Sequence, residues 1–269
     1  MSLDTPAANA AVTFDSGGET LLGVLHLPAG AGPHPIVVLL HGFPGHERNF
    51  DLAQDLRRAG YASLVFHYRG SWGVGGTWSW GNALEDAARV AAAVRDREFA
   101  AAHRLDRDRL ALAGHSFGGF AALTTAAADP SVTAVASVSA FDFGRVGVAC
   151  RRDDTLRAAY VEGFGEDLLP LKGTGGEALV EEMVSAGEAW SLAGLAPRLA
   201  DRPVLLVGTA GRDTVTPAAE HHEPVVAAYA AHPVPLLEHR VFVTDHALSD
   251  HRLELAETLR DFLDRHLGR

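Results

Sequence analysis

Cysteine is almost missing from this chain. Cys150 is the only one, so no disulfide can close within it and no cluster of thiolates can hold zinc. Cations are also in the minority, with 23 Lys and Arg against 34 Asp and Glu and a net charge of −11. Phosphate backbones and anionic membranes are bound by clustered Lys and Arg, so neither nucleic acid nor a membrane surface is an expected partner. No apolar stretch approaches the length of a membrane span, and there is no internal repeat or low-complexity linker. The opening Met1–Pro6 shows no basic segment followed by an apolar run, and the expected location is the cytoplasm. The 14 histidines are scattered. His221, His222 and Glu223 are adjacent rather than one helical turn apart as a chelating pair would be, so surface histidines are expected rather than a metal site.

A globular composition remains, 47% hydrophobic and 21% charged over 269 residues. That length supports one large core, read as a single domain over 1–269 with an insertion at about 142–200. A hairpin is expected over Ala11–Leu27 around Asp15-Ser16-Gly17-Gly18. Apolar runs at Ile36–Leu40, Ala62–Phe66, Arg109–Ala113, Val132–Val138, Pro203–Gly208 and Leu236–Val243 read as strands. Between them lie helical stretches at Asp51–Ala59, Asn82–Arg95, Phe120–Ala128 and Pro217–Ala231, with a last one over Ser249–His266. This alternation predicts an α/β fold, a mostly parallel doubly wound sheet with helices on both faces. The regular pattern breaks from Asp142 to about Ala200, too long for a strand-to-strand connection, and a small helical cap is expected there.

One stretch organises the rest. Gly114-His115-Ser116-Phe117-Gly118 fits G-x-S-x-G, with a strand before it and a helix after. The glycines leave room for a sharp turn that exposes the serine hydroxyl. The helix N-terminus favours a developing negative charge, and the Phe117 N–H is placed to donate to it. An ordinary Gly-rich strand-to-helix turn is the plainer reading of the same residues. A serine needs a base and a group to orient that base. His246 follows the last strand, and Asp213 follows the strand before it, in Gly211-Arg212-Asp213-Thr214-Val215-Thr216-Pro217. The chain order Ser116, Asp213, His246 is the one expected of a nucleophile elbow on such a sheet. His251 and His115 are rivals for the base, and Asp142 for the acid, while Asp245 and Asp250 read as solvated loop residues.

Taken together, these motifs resemble the α/β-hydrolase superfamily over essentially the whole chain. The resemblance implies that His41-Gly42-Phe43-Pro44-Gly45 supplies a second oxyanion donor, the Phe43 N–H. Tyr68-Arg69-Gly70-Ser71 resembles a loop of small serine esterases of the feruloyl and cinnamoyl type and of prolyl-oligopeptidase-like catalytic domains. Dienelactone hydrolases are similar in fold but use cysteine as nucleophile. The activity implied is a serine carboxylic-ester hydrolase needing no cofactor and no metal. A peptidase and a non-catalytic binding module are the alternatives. A small-molecule ester is the expected partner, with a homodimer left open. Trp72, Trp78 and Trp80 cluster in one loop, where they form an aromatic wall for substrate or pack beneath the loop. Arg69 is either a substrate contact or a loop anchor.

Overall fold

The computed structural model describes residues 5–232 and 234–268; residues 1–4 of the Met1–Pro6 segment lie outside them. The chain opens on β1 (Ala8–Ser16) and β2 (Glu19–Leu27), paired antiparallel with Ser16 opposite Glu19. Gly17 and Gly18, at φ +56° and +83°, form the two-residue turn. Positive φ at both positions gives the twist a tight hairpin requires, and glycine adopts it without strain.

Next come β3 (His34–Leu40), α1 (Phe50–Ala59), β4 (Ala62–Phe66), α2 (Trp80–Ala93), α3 (Arg97–His103), β5 (Leu105–His115), α4 (Phe117–Ala128) and β6 (Ala134–Val138). After β6 the chain forms α5 (Phe143–Cys150), α6 (Asp154–Glu166), α7 (Gly176–Ala186), two 3₁₀ turns and α8 (Ala196–Leu199). It closes with β7 (Val204–Gly211), α9 (Ala218–His221), α10 (Glu223–Ala231), β8 (Leu237–Thr244) and α11 (Arg252–His266). The eight strands form one sheet in the order β1-β2-β4-β3-β5-β6-β7-β8, parallel from β4 to β8. Both faces of the sheet are covered, which is why β3, β4 and β6 are buried at every position. Leu52, Leu56, Leu259 and Phe262 of α1 and α11 pack one face. Val90, Phe120 and Leu123 of α2 and α4 pack the other.

The segment between β6 and β7 is helical, but only part of it stands apart from the core. Phe143 of α5 and Leu179, Val180 and Met183 of α7 are buried in the same apolar cluster as the sheet. The Glu182 carboxylate accepts the Trp80 and Gly81 N–H groups at 2.8 and 2.6 Å and so caps α2. By contrast, α6 buries none of its residues. Elsewhere the sequence reading needs adjustment at three points. α3 was not expected, and α4 begins at Phe117 rather than Phe120. The single helix expected over Pro217–Ala231 is broken at His222, because Pro224 has no N–H to continue the ladder.

Candidate active site

β5 lies in the middle of the sheet, so the turn after it is flanked by strands on both sides. Ser116 occupies that turn with φ +59° and ψ −123°, outside the comfortable regions for a residue with a Cβ. The geometry is enforced by close backbone packing. A Cβ on Gly114 would fall 2.0 Å from the Gly118 carbonyl oxygen, and one on Gly118 would fall 1.9 Å from that of Leu40. The Ser116 N–H donates to Val138 O at 2.8 Å, tying the turn to β6. The side chain therefore stands at the carboxyl edge of the sheet, directly before the free N–H groups of α4.

Asp213 and His246 arrive on the loops after β7 and β8, and the structure brings them together. His246 Nδ1 lies 3.0 Å from Asp213 Oδ2. The carboxylate is fully buried and fixed by other donors. Its Oδ1 accepts the Val215 and Thr216 N–H groups at 2.8 and 2.9 Å, and its Oδ2 accepts the Thr216 hydroxyl at 2.8 Å and that of Thr209. Burial alone would raise this carboxyl. The hydrogen bonds from His246 and Thr209 outweigh it and hold the group well below the usual carboxylate range. An ionised Asp213 at this distance favours the His246 tautomer that carries its proton on Nδ1, facing the carboxylate.

The rivals are placed elsewhere. Asp142 caps α5, accepting the Arg145 and Leu192 N–H groups at 3.0 and 3.4 Å. His251 is engaged with Glu254 at the start of α11. His115 donates Nε2–H to the His246 carbonyl at 2.7 Å, supporting the histidine loop from below. Asp250 is held by Arg212 and Thr244, and Asp245 accepts the Ser249 N–H.

The loop after β3 passes close over Ser116. A Cβ on Gly42 would lie 2.9 Å from Ser116 Cβ and 3.4 Å from its Oγ. His41 Nδ1 donates to Gly42 O at 2.8 Å. Carbonyl and N–H of one trans peptide point in opposite directions, so fixing Gly42 O fixes the direction of the Phe43 N–H. His41 can make this bond only while Nδ1 carries a proton, and burial lowers its pKa to about 3, keeping the ring neutral.

Ser116 and His246 line one cavity of about 340 Å³ together with Phe43, Trp80, Phe117, Phe141, Phe143 and residues of α6. No hydrogen bond joins the Ser116 hydroxyl to His246 among the described residues; in free enzymes this contact is commonly long and tightens with substrate. A larger open cleft of about 630 Å³ lies at the other edge of the sheet, near Arg107 and Thr133. None of the chemistry-bearing residues above reaches it.

A family model described as the alpha/beta hydrolase fold matches residues 35–217, two thirds of the chain. The chain belongs to the α/β-hydrolase family. A curated relative from Escherichia coli, an uncharacterized 31.7 kDa protein of the traX-finO intergenic region, is 32% identical over 172 residues. That match covers 60% of this chain and 57% of the relative's length. Among solved structures, the Pyrococcus furiosus esterase Pf2001 superposes with a TM-score of 0.71 at 18% identity, covering 97% of this chain and 92% of that one. Est1E from Butyrivibrio proteoclasticus gives 0.69 at 18% identity, over 96% and 99% of the two chains. At these identities the solved structures share the fold.

Within this α/β-hydrolase, the expected substrate contacts divide. Trp80 lines the cavity. Trp78 is buried behind it, ring to ring with Trp80, Tyr68 and Phe117. Trp72 faces away from the cavity: its Nε1 donates to Pro44 O at 3.0 Å and Arg48 stacks on its ring. Arg69 is a loop anchor and does not contact the cavity. Its Nε meets the buried Asp86 carboxylate at 2.7 Å, and the same carboxylate accepts the Arg69 N–H. Of the two readings left open for Arg69, Trp72 and Trp78, the geometry favours packing within and beneath the loop, since none of the three lines the cavity.

The expectation of surface histidines holds for His46, His232 and His239, which are exposed, and is corrected for others. His41, His115, His221 and His222 are all buried. Burial lowers His221 to about 4, and its bare Nδ1 accepts the Asp142 N–H at 3.0 Å. Among the described residues no group of three or more His, Cys, Asp or Glu could hold a metal ion. No helix among them is long and apolar enough to cross a membrane. Sequence reasoning missed Tyr160, Phe164 and Asp167, which line the cavity from α6 and its end. It missed Thr216 too, although Asp-x-x-Thr is a spacing at which a carboxylate captures backbone N–H groups in a turn.

Proposed function

We propose that this α/β-hydrolase cleaves carboxylic esters through an acyl-enzyme on Ser116. The observation that carries the reading is the His246 Nδ1 to Asp213 Oδ2 contact at 3.0 Å, with His246 and Ser116 lining one cavity. Ser116 Oγ attacks the ester carbonyl as His246 Nε2 takes its proton. The Phe43 and Phe117 N–H groups donate to the oxyanion of the tetrahedral intermediate, each contributing on the order of 3 to 4 kcal/mol to the barrier reduction. The imidazolium, stabilised by the ionised Asp213, then returns the proton to the leaving alcohol. Water deprotonated by the same imidazole releases the acid. The proposed cycle uses protein groups alone, and no metal or organic cofactor enters it. Within the segment 142–200, α6 stands apart from the core and acts as a cap, forming the wall that meets the substrate. A fluorophosphonate probe tests the reading: wild-type protein is labelled and Ser116→Ala is not. Unlabelled wild type, or labelling that survives Ser116→Ala, overturns it.

A further inference from the structure

The cavity that Ser116 and His246 share carries a lopsided set of charges. Its wall is aromatic: Phe164 sits 5.5 Å from Phe43, 5.5 Å from Trp80 and 5.8 Å from Tyr160, centroid to centroid. Among the described residues no Lys or Arg lines it, the one carboxylate that does is Asp167, and no ion pair joins that carboxylate to a cation. Asp167 is also the C-cap of α6, a helix of 13 residues. Unsatisfied carbonyls at that end add partial negative charge beside the carboxylate.

Resting on the ester-hydrolase reading, we infer that the site selects substrates by charge: it takes esters with an apolar or ammonium-bearing group and turns away those with a carboxylate, Asp167 setting the preference. A carboxylate entering this cavity loses hydration with no cation to replace it, and Asp167 repels it. An ammonium gives up less. Aromatic faces offer it a favourable quadrupole, and Asp167 with the end of α6 offers opposite charge. Because Asp167 is exposed to water, its field is partly screened, and the discrimination it supplies is about 3- to 10-fold.

Isosteric esters with one leaving group provide the test: 4-nitrophenyl 6,6-dimethylheptanoate, its 5-(trimethylammonio)pentanoate counterpart and the adipate half-ester. A second pair, choline butanoate and 3,3-dimethylbutyl butanoate, puts the charge on the alcohol. The readout is the ratio of kcat/KM within each set, which cancels any general loss of activity. The cationic-to-neutral ratio exceeds one in at least one set, and the half-ester is the poorest of its set. In Asp167→Asn the cationic-to-neutral ratio falls and the half-ester-to-neutral ratio rises, each about 3- to 10-fold, and raising the salt from about 0.01 to 1 M has the same direction of effect. Flat ratios in a protein that the fluorophosphonate labels at Ser116 overturn the charge selection and leave the esterase reading intact, as do ratios that Asp167→Asn does not move. A protein that is not labelled and hydrolyses none of the esters overturns both.

Discussion

Replacing Asp213 by Asn distinguishes a carboxylate that sets a tautomer from one that merely fills space. Oδ1 of Asp213 accepts two backbone N–H groups at 2.8 and 2.9 Å. An amide at this position must therefore keep its oxygen there, since its NH₂ would face two donors. That places the NH₂ where Oδ2 now accepts from Thr209, Thr216 and His246. The NH₂ has two hydrogens and cannot accept the Nδ1 proton, so with one hydrogen aimed at His246 Nδ1 the ring turns acceptor there, its proton moves to Nε2 and the base is lost. Thr216 Oγ, 3.1 Å from Nδ1, is the acceptor that competes to hold the original tautomer. A wrong tautomer of this kind costs about 10⁴-fold in kcat, or about 5.4 kcal/mol at 1.36 kcal/mol per decade. Stability falls by only about 1 to 3 kcal/mol, the range for buried hydrogen bonds left unmade. The control is Asp142→Asn, where Asn is an equally good helix cap and kcat changes by no more than about twofold. The assay is the steady-state hydrolysis of a nitrophenyl ester, with circular dichroism to establish folding. A folded Asp213→Asn keeping more than about a tenth of wild-type kcat, or a larger loss in Asp142→Asn, would refute the reasoning.

Further outcomes follow from the packing and the titrating groups. Gly118→Ala puts a methyl 1.9 Å from Leu40 O, so α4 must move off β3 by about 1 Å and activity falls at least about 100-fold; wild-type rates in this variant would contradict the close approach. His41 and His115 are lowered to about 3 by burial, and His221 and His222 to about 4. Each is neutral in the fold and protonated when unfolded below its ordinary value near 6.5. Their contribution is complete above that pH and is lost as the pH falls toward 4. Urea titrations at pH 6.5, 5.5 and 4.5 should show uptake of more than two protons on unfolding at about pH 5, and uptake of fewer than one would count against the burial. Arg69→Met strands the fully buried Asp86 carboxylate and lowers stability by about 3 to 5 kcal/mol, read as the urea midpoint. Asp86→Asn combined with it should recover part of that loss.

Local chemistry made much of this molecule legible in advance. The hairpin was visible because Gly17-Gly18 has one comfortable use between two alternating strands. The strand, Ser116 turn and α4 were visible because Gly114 and Gly118 leave room that no larger residue has. The families of rival acids and bases could be ordered because loops at the carboxyl ends of β7 and β8 must carry what the sheet presents. What escaped notice depends on contacts distant in sequence. Nothing near Trp72 says that its indole will bond Pro44 rather than a ligand, and nothing near His221 says that it will be buried against Asp142. The cavity lining from α6 was equally hidden, since Tyr160 and Phe164 lie on a helix with no strong apolar stripe and find their aromatic neighbours only on folding.

That helix also bears on how the protein changes over evolutionary time. Because α6 commits no residue wholly to the interior, its inner surface can be rewritten at Tyr160, Gly163 and Phe164 with little penalty to the fold. Libraries confined to those three codons should yield altered preferences at high rates of folded variants, whereas diversity at the buried positions Phe143 of α5 and Leu179 and Met183 of α7 would mostly cost folding.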